Sequence, residues 1–155
     1  MNILILYDSF FGNTEKIAQY IKESIEDKHD VKMIKAGDFE EADFAKVECL
    51  IIGTPTRAFR PTKDISNILN KYPLTIKDLK VAAFDTRIDY DTIKPKTLSM
   101  VMKRSGYAVD KIYKKLSKIG VELIAEPAGF YVGESEGPLL EGEKEKAERW
   151  LMGKF

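Results

Sequence analysis

The amino-acid sequence predicts an α/β fold, a three-layer sandwich in which helices cover both faces of a five-stranded parallel sheet, within a single domain of residues 1–155. Two features indicate this fold class. Short apolar runs alternate along the chain with segments whose apolar residues recur at helical spacing. The first and third runs, residues 2–7 and 47–53, are almost continuously apolar, which is typical of parallel strands buried on both faces.

The sequence of the first half of the chain predicts three strands. Residues 2–7 form the first, and residues 14–27 follow as a helix whose apolar positions recur at helical spacing. Residues 30–35 alternate in polarity, which favours a strand at the edge of the sheet. A brief helical turn over residues 40–46 leads to residues 47–53, the most apolar run in the chain and therefore the expected central strand.

The second half continues the alternation. Pro61 marks the start of a helix whose apolar residues Ile65, Ile68 and Leu69 lie at helical spacing. The elements predicted after it are a fourth strand over residues 81–84, a helix over residues 108–119 capped by Gly120, a fifth strand over residues 121–125 and 129–132 that Glu126-Pro127 interrupts, and a last helix over about residues 141–151.

The composition excludes several kinds of site. Because Cys49 is the only cysteine, the chain forms no internal disulfide bond and no cysteine-based zinc site, and we interpret Cys49 as a small core residue. A serine–histidine triad would need His29, the only histidine. We predict no catalytic residue and no metal site. No apolar stretch approaches twenty residues and no signal sequence is evident, so we expect no membrane span and a cytoplasmic location.

The net charge of zero conceals an uneven distribution of charged residues. Residues 94–118, from Lys94 to Lys118, carry eight basic groups and one acidic group, whereas residues 1–48 carry eleven acidic and six basic groups. Two interpretations of the basic segment are open: the solvated face of a helix, or a docking patch for the acidic surface of a partner. Nucleic acid is not expected as a partner, because the chain has no overall positive charge.

The candidate binding site consists of three loops, which begin at Asp8, Thr54 and Asp85, because ligands of doubly wound sheets bind beyond the carboxyl ends of the strands. In the first loop, Gly12 permits a tight turn next to the N-terminus of the first helix. An anion cradle and an ordinary helix N-cap are both open interpretations of it. The glycine–lysine motif of nucleoside triphosphate sites and the glycine-spaced dinucleotide fingerprint are both missing.

Two stretches of the sequence resemble the flavodoxin family: Y-D-S-F-F-G-N-T-E-K-I-A after the first strand, and I-I-G-T-P-T-R at the end of the third. The resemblance extends over the whole chain. It implies the flavodoxin-like strand order 2-1-3-4-5, FMN as the cofactor, and phosphate contacts for Ser9, Asn13, Thr14 and the loop amides. Phe11 departs from the threonine that is commoner in the family, which removes one hydroxyl donor and leaves the backbone amides in place.

The resemblance places the flavin ring between the second and third loops. Phe59 and Tyr90 are the candidate stacking residues, and the alternative for Phe59 is that it caps the core. The third loop would supply backbone contacts to the pyrimidine end of the ring. The residues expected to contact FMN are Ser9, Phe10, Phe11, Gly12, Asn13, Thr14, Thr54, Pro55, Thr56, Arg57, Ala58, Phe59, Asp85, Thr86, Arg87 and Tyr90.

The second loop differs from that of a typical flavodoxin. Arg57 and Arg60 would raise the reduction potential of a flavin that they face; alternatively, both point to solvent or pair with nearby aspartates. Ala58 or Phe59 occupies the position where the family commonly has a glycine. A positive φ would cost either residue about 1 to 2 kcal/mol more than it costs glycine.

Two functions remain open at this point. The first is an electron carrier that shuttles electrons between protein redox partners and transforms no substrate of its own. The alternative is an enzyme that uses FMN to transfer hydride from NADH or NADPH to a quinone or another small molecule. A receiver domain is excluded, because it needs an aspartate at the end of the third strand, where this chain has Gly53 and Thr54. We expect a monomer or a weak dimer.

Overall fold

The computed structural model describes residues 1–72 and 78–155 of the chain. The strands in these residues are β1 (Asn2–Tyr7), β2 (Asp30–Lys35), β3 (Cys49–Pro55), β4 (Lys80–Ile88), β5 (Glu122–Leu123) and β6 (Ala128–Val132). The α-helices are α1 (Asn13–Ile25), α2 (Lys63–Lys71), α3 (Lys96–Ser105), α4 (Ala108–Ile119) and α5 (Glu143–Trp150). Short 3₁₀ turns lie at Ala36–Asp38, Glu41–Phe44 and Tyr90–Thr92.

The sheet is parallel, and its order β2-β1-β3-β4-β5 confirms the predicted strand order. Strand β6 continues the line of β5: Leu123 of β5 lies opposite Val81, near the start of β4, and Ala128 of β6 lies opposite Phe84, farther along β4. The fifth strand is therefore interrupted, as predicted. The prediction that residues 30–35 form an edge strand is also confirmed, since β2 pairs only with β1 among the described strands.

The side chains of β1 alternate between two hydrophobic cores. Leu4 and Leu6 belong to the core that α2 and α4 cover, and Ile3 and Ile5 belong to the core that α1 and α5 cover. All four side chains are almost completely buried. The alternation confirms the prediction that helices pack on both faces of the sheet.

Cys49 lies in the core as expected, and the partly buried Trp150 packs against the core from α5. Cys49 is fully buried in β3, and burial raises the pKa of its thiol to about 12, so the thiol stays protonated and unreactive. Trp150 packs edge-on against Phe84 and Phe130, with ring centroids 5.9 and 6.3 Å apart, and thereby holds α5 on the sheet.

The prediction that the fourth strand ends at Phe84 is wrong, because β4 continues to its end at residue 88. Asp85 lies opposite Thr54 of β3 on one side and Gly129 of β6 on the other. The third loop predicted from Asp85 onwards therefore begins within a strand. Two charged side chains are accommodated there because Asp85 and Arg87 form an ion pair, which the sequence pattern does not reveal.

Helix α3 is missing from the sequence-based prediction. Ser99 is its one buried residue, whereas Leu98, Met100 and Val101 are 47, 69 and 61% exposed. Because these apolar side chains face outward, the segment lacks the inward-facing apolar stripe by which an amphipathic helix is recognised. The basic segment of residues 94–118 thus comprises two helices, α3 and α4.

Candidate functional site

A cleft of about 570 Å³ opens at the carboxyl ends of β1, β3 and β4, within the size range of small-molecule sites. Its walls come from the loop after β1, the end of β3 and the turn after it, the end of β4, and the segment after β6. The lining residues are Ser9, Phe10, Phe11, Asn13, Thr14, Pro55, Thr56, Arg57, Ala58, Thr86, Arg87, Ile88, Val132, Ser135 and Glu136.

The loop between β1 and α1 leaves backbone donors open to the cleft. Gly12, at φ 83°, turns the chain into α1, and no side chain of the described residues caps the helix. Inside the loop, the Gly12 amide donates to Ser9 Oγ over 3.0 Å. In the described part of the chain, the amides of Phe11, Asn13 and Thr14 donate to no protein acceptor. Free amides at the positive end of a helix are suited to an anion.

The side chains of Asn13 and Thr14 join the walls of the cleft to one another. Asn13 Nδ2 donates to the backbone oxygen of Glu136 over 3.0 Å, and the hydroxyls of Thr14 and Thr86 are 2.8 Å apart. In a hydroxyl pair one group donates to the other, which leaves one hydroxyl hydrogen free. Both side chains are nearly buried. They fix the loop to β4 and to the segment after β6, and the backbone amides remain the most open donors.

The segment after β3 forms a tight turn from Arg57 to Arg60. The amide of each arginine donates to the carbonyl of the other, over 3.0 and 2.9 Å. The two central residues, Ala58 and Phe59, have φ angles of 45° and 65°. Two-residue turns of this kind favour asparagine and glycine, because other residues in left-handed conformations are strained. The turn therefore adopts positive φ values that cost alanine and phenylalanine more than they cost glycine.

The structure separates the two arginines of this turn. Arg57 borders the cleft, and its guanidinium carbon lies 5.3 and 5.5 Å from the ring centroids of Phe10 and Phe11. These phenylalanines are 59 and 45% exposed. Arg60 lies outside the cleft lining, on the far side of the turn. Among the described residues, neither arginine forms an ion pair with an aspartate.

The floor beneath the cleft is a buried hydrogen-bond network centred on Asp85. Its Oδ1 accepts from Arg87 Nε over 2.5 Å, and its Oδ2 accepts from Thr56 Oγ1 and the Val109 amide over 2.9 and 3.0 Å. Thr56 Oγ1 also accepts from the Ala108 amide over 2.9 Å. Burial raises the pKa of the Asp85 carboxyl, and the Arg87 guanidinium offsets only part of the increase. The first two amides of α4 thus donate to Thr56, directly after β3, and to Asp85 in β4.

Arg87 is fixed by its neighbours as well as by Asp85. Its guanidinium carbon lies 3.7 Å from the centroid of the Tyr107 ring. A Cβ atom at Gly129 would lie 2.2 Å from that carbon, so only glycine at residue 129 leaves room for the guanidinium. Tyr107 in turn stacks on Tyr90, with ring centroids 4.2 Å apart.

The two predicted stacking residues lie outside the cleft lining: Phe59 is part of the turn itself, and Tyr90 packs against Phe59. Tyr90 is 4% exposed, and burial raises its pKa to about 12. Phe59 is half-buried and packs edge-on against Tyr90 at a centroid distance of 6.1 Å. Neither residue is part of the cleft lining. Of the other predicted contacts outside the lining, Thr54 is fully buried and its Oγ1 accepts from the Thr62 amide over 3.1 Å.

The structure brings residues from all three predicted loops into one cleft. The sequence-based prediction does not include the fourth wall, which the segment after β6 forms. Ser135 and Glu136, in the segment after β6, line the cleft together with Ile88 and Val132. A signal for this segment was available, because the carboxyl end of the fifth strand lies at the same edge of a parallel sheet as the other site loops.

The sheet order, with a cleft at the carboxyl edge and open helix amides in that cleft, defines a doubly wound α/β protein whose ligand site lies where this fold class binds ligands. The sequence of residues 4–117 matches the profile of the family described as "Flavodoxin domain", and the chain therefore belongs to the flavodoxin family. A search of curated proteins finds no match to the sequence.

Solved structures share the fold. A flavodoxin from the domain Archaea aligns over 97% of this chain and 93% of its own, with a TM-score of 0.73 and 19% identity. Oxidised Flavodoxin 1 from Bacillus cereus aligns over 96% of this chain and 92% of its own, with a TM-score of 0.70 and 21% identity. The rubredoxin oxygen:oxidoreductase of the anaerobe Desulfovibrio gigas aligns over 95% of this chain, with a TM-score of 0.72 and 18% identity, and this chain spans 33% of its length.

Membership of the family assigns FMN as the cofactor and electron transfer as the general function. The cleft fits FMN. The open amides at the start of α1 suit a phosphate group, and Pro55, Ile88 and Val132 offer apolar surface to a planar ring. Within residues 1–72 and 78–155, no helix is long and apolar enough to cross a membrane, and no cluster of three or more histidine, cysteine or carboxylate side chains could hold a metal ion.

Proposed function

We propose that residues 1–155 act as a single-domain electron carrier that shuttles electrons between redox partner proteins through FMN bound in this cleft. The observation that carries the proposal is the set of uncapped α1 amides opening into a cleft at the carboxyl edge of the sheet. Bound FMN supplies the redox chemistry, since it accepts and releases one or two electrons. The protein binds and orients the cofactor and sets its surroundings.

The phosphate of FMN binds at the start of α1 in this proposal. The amides of Phe11, Asn13 and Thr14 donate to it, and Ser9 adds a hydroxyl. No lysine or arginine belongs to this loop, so the site acts through hydrogen bonds and the helix dipole. The free hydroxyl hydrogen of the Thr14–Thr86 pair is a further donor.

The flavin ring lies towards the turn after β3. Thr56, Arg57 and Ala58 line that part of the cleft. The sequence suggests Phe59 and Tyr90 as stacking partners of the ring, but Tyr90 supports the turn by packing against Phe59, which belongs to it. Asp85 and Arg87 form an ion pair at the end of β4. Phe10 and Phe11 are exposed at the mouth, where they limit the access of water to the ring.

A pair of assays separates this proposal from the alternative of an NAD(P)H-dependent oxidoreductase. The FMN-loaded protein is first mixed with NADH or NADPH and a soluble quinone. It is then placed between a flavoprotein reductase and cytochrome c. We expect negligible oxidation of NADH or NADPH by the protein alone, and cytochrome c reduction that depends on its concentration. Direct steady-state turnover with the quinone would contradict the carrier function.

Two further parts of the proposal have separate tests. We propose that the carrier is a monomer or weak dimer, which analytical ultracentrifugation of the FMN-loaded protein measures. We also propose that it works in the cytoplasm, which cell fractionation measures.

A further inference from the structure

A second concave surface lies between α2 and α4, beside the turn that borders the FMN cleft. This groove has a volume of about 670 Å³. Its lining combines an apolar base with basic side chains on the rim. The lining residues are Arg60, Pro61, Lys63, Ser66, Leu69, Asn70, Lys111, Ile112 and Lys115.

Among the described residues, no negatively charged side chain lines the groove to balance its positive charge. The lining has four cationic side chains and no carboxylate, and none of the four forms an ion pair among the described residues. Two of them donate to neutral acceptors instead: Lys111 Nζ to the Phe59 carbonyl and Lys115 Nζ to Asn70 Oδ1. Burial without a counter-charge lowers the pKa of Lys115.

The nearest carboxylates along the two helices face other parts of the molecule. Asp110 Oδ2 accepts from the Tyr107 amide over 2.8 Å and so closes the first turn of α4. Asp64 lines a different depression, together with Asp8 and Asp38, and Lys63 lies on the border between that depression and the groove. The groove therefore concentrates positive charge on a chain whose net charge is zero.

The groove and the FMN cleft share the turn after β3. Arg57 and Ala58 line the cleft, whereas Arg60 lines the groove, and Lys111 holds the Phe59 carbonyl between them. Anything bound in the groove therefore sits one turn of backbone away from the cofactor site. That is a suitable place for a molecule that exchanges electrons with FMN.

We propose that this groove docks an acidic segment of a redox partner protein, with carboxylates against its four cations and an apolar side chain against Pro61, Leu69 and Ile112. The inference rests on the proposed carrier function. Of the basic segment of residues 94–118, only Lys111 and Lys115 belong to the proposed docking surface. Arg60 and Lys63, which lie outside that segment, complete its positive charge. A second copy of the chain is a weaker occupant, because in a symmetric dimer the two positively charged grooves would face and repel each other.

The test uses a hexaglutamate peptide added to ¹⁵N-labelled, FMN-loaded protein at low ionic strength, with hexalysine and the oligonucleotide dT6 in parallel. We expect amide shifts at the groove residues with hexaglutamate and none with hexalysine. The double variant Lys63→Gln/Lys115→Gln should weaken hexaglutamate binding by about five- to tenfold. The matched control Lys114→Gln/Lys118→Gln also removes two positive charges, but from α4 positions outside the groove. It should weaken hexaglutamate binding less than twofold.

Several results would overturn the proposal. Equal weakening by the two double variants would mean that diffuse charge binds the peptide. Tighter binding of dT6 than of hexaglutamate would point to a nucleic acid, and groove shifts on concentrating the protein alone would point to a second copy. None of these results bears on FMN loading or on cytochrome c reduction, so failure of the docking surface and failure of the carrier function are distinguishable.

Discussion

At the scale of single residues, Asp85 connects the sheet to the helix that follows the site. Its carboxylate is fully buried, and Arg87, Thr56 and the Val109 amide all donate to it. Removing one partner of such a network leaves the others buried and unsatisfied, which costs more than the net worth of the interactions themselves. The side chain therefore governs the geometry of the cleft floor without lining the cleft.

We expect the variant Asp85→Ala to lose about 3 to 5 kcal/mol of unfolding free energy, because the buried Arg87 guanidinium and the start of α4 lose their acceptor. Urea denaturation monitored by circular dichroism measures the loss. Asp85→Asn keeps an acceptor oxygen of the same size and should lose less. Equal losses in the two variants would show that the volume of the side chain matters and its hydrogen bonds do not.

Asp85 also makes the stability of the protein depend on pH. Burial raises the pKa of its carboxyl in the folded state above the unfolded value, so the folded state binds the proton more tightly. The free energy of unfolding should therefore receive an extra contribution below the unfolded pKa. This contribution is lost as pH rises through the folded pKa. The variant Asp85→Asn has no titrating carboxyl at this position, so it should not show this loss of stability with rising pH. Urea denaturation of both proteins at several pH values gives the comparison. Parallel pH profiles would contradict the assignment.

Arg57 and Arg60 are three residues apart, but we expect them to affect the reduction potential of FMN differently. Arg57 lines the cleft and Arg60 does not. A unit charge at the border of the cleft, screened by water, is worth roughly 10 to 30 mV. We expect Arg57→Ala to lower the potential for full reduction of FMN by that amount, while Arg60→Ala leaves it unchanged. A spectroscopic redox titration measures both variants, and a larger shift in Arg60→Ala would reverse the assignment of the two side chains.

At the scale of elements, the turn after β3 is the strained part of the site. Ala58 and Phe59 both have positive φ angles, and the turn is closed by the two hydrogen bonds between Arg57 and Arg60. Lys111 of α4 holds it from outside through the Phe59 carbonyl. A conformation that its own residues disfavour is thus maintained by contacts with the rest of the molecule.

Relieving this strain should stabilise the protein. We expect Ala58→Gly to raise the unfolding free energy by about 1 kcal/mol, because glycine adopts positive φ without the penalty of a Cβ atom. The matched control is Ala42→Gly in the exposed 3₁₀ turn Glu41–Phe44, where glycine adds chain entropy to the unfolded state and should destabilise. Thermal unfolding of both variants gives the comparison. Destabilisation by Ala58→Gly would mean that the turn is not strained.

The sequence predicts those strands and helices in which the apolar residues are also the buried residues. Strand β1 and helix α1 each place apolar residues where the core lies, so periodicity alone identifies them. Helix α3 does the opposite, with Leu98, Met100 and Val101 facing outward. The extension of β4 is hidden for another reason: Asp85 and Arg87 look like loop residues until the ion pair between them is known.

At the scale of the whole molecule, the order of the sheet follows from the alternation of strands and helices together with the family resemblance, and the position of the site follows from that order. Individual roles within the site follow less directly. Asn13 and Thr14 resemble ligand donors in the sequence, yet their side chains bond to Glu136 and Thr86 across the cleft. Such pairings join residues far apart in the chain, and no local pattern indicates them.

The central claim is that the start of α1 holds the phosphate of FMN. Titration of the apoprotein with FMN and with riboflavin, followed by the quenching of flavin fluorescence, tests it most directly, because the two ligands differ only in the phosphate. With at least two charge-assisted hydrogen bonds at stake, we expect one FMN per chain bound about a hundredfold or more tighter than riboflavin. Equal affinities, or no binding of either flavin, would contradict the account.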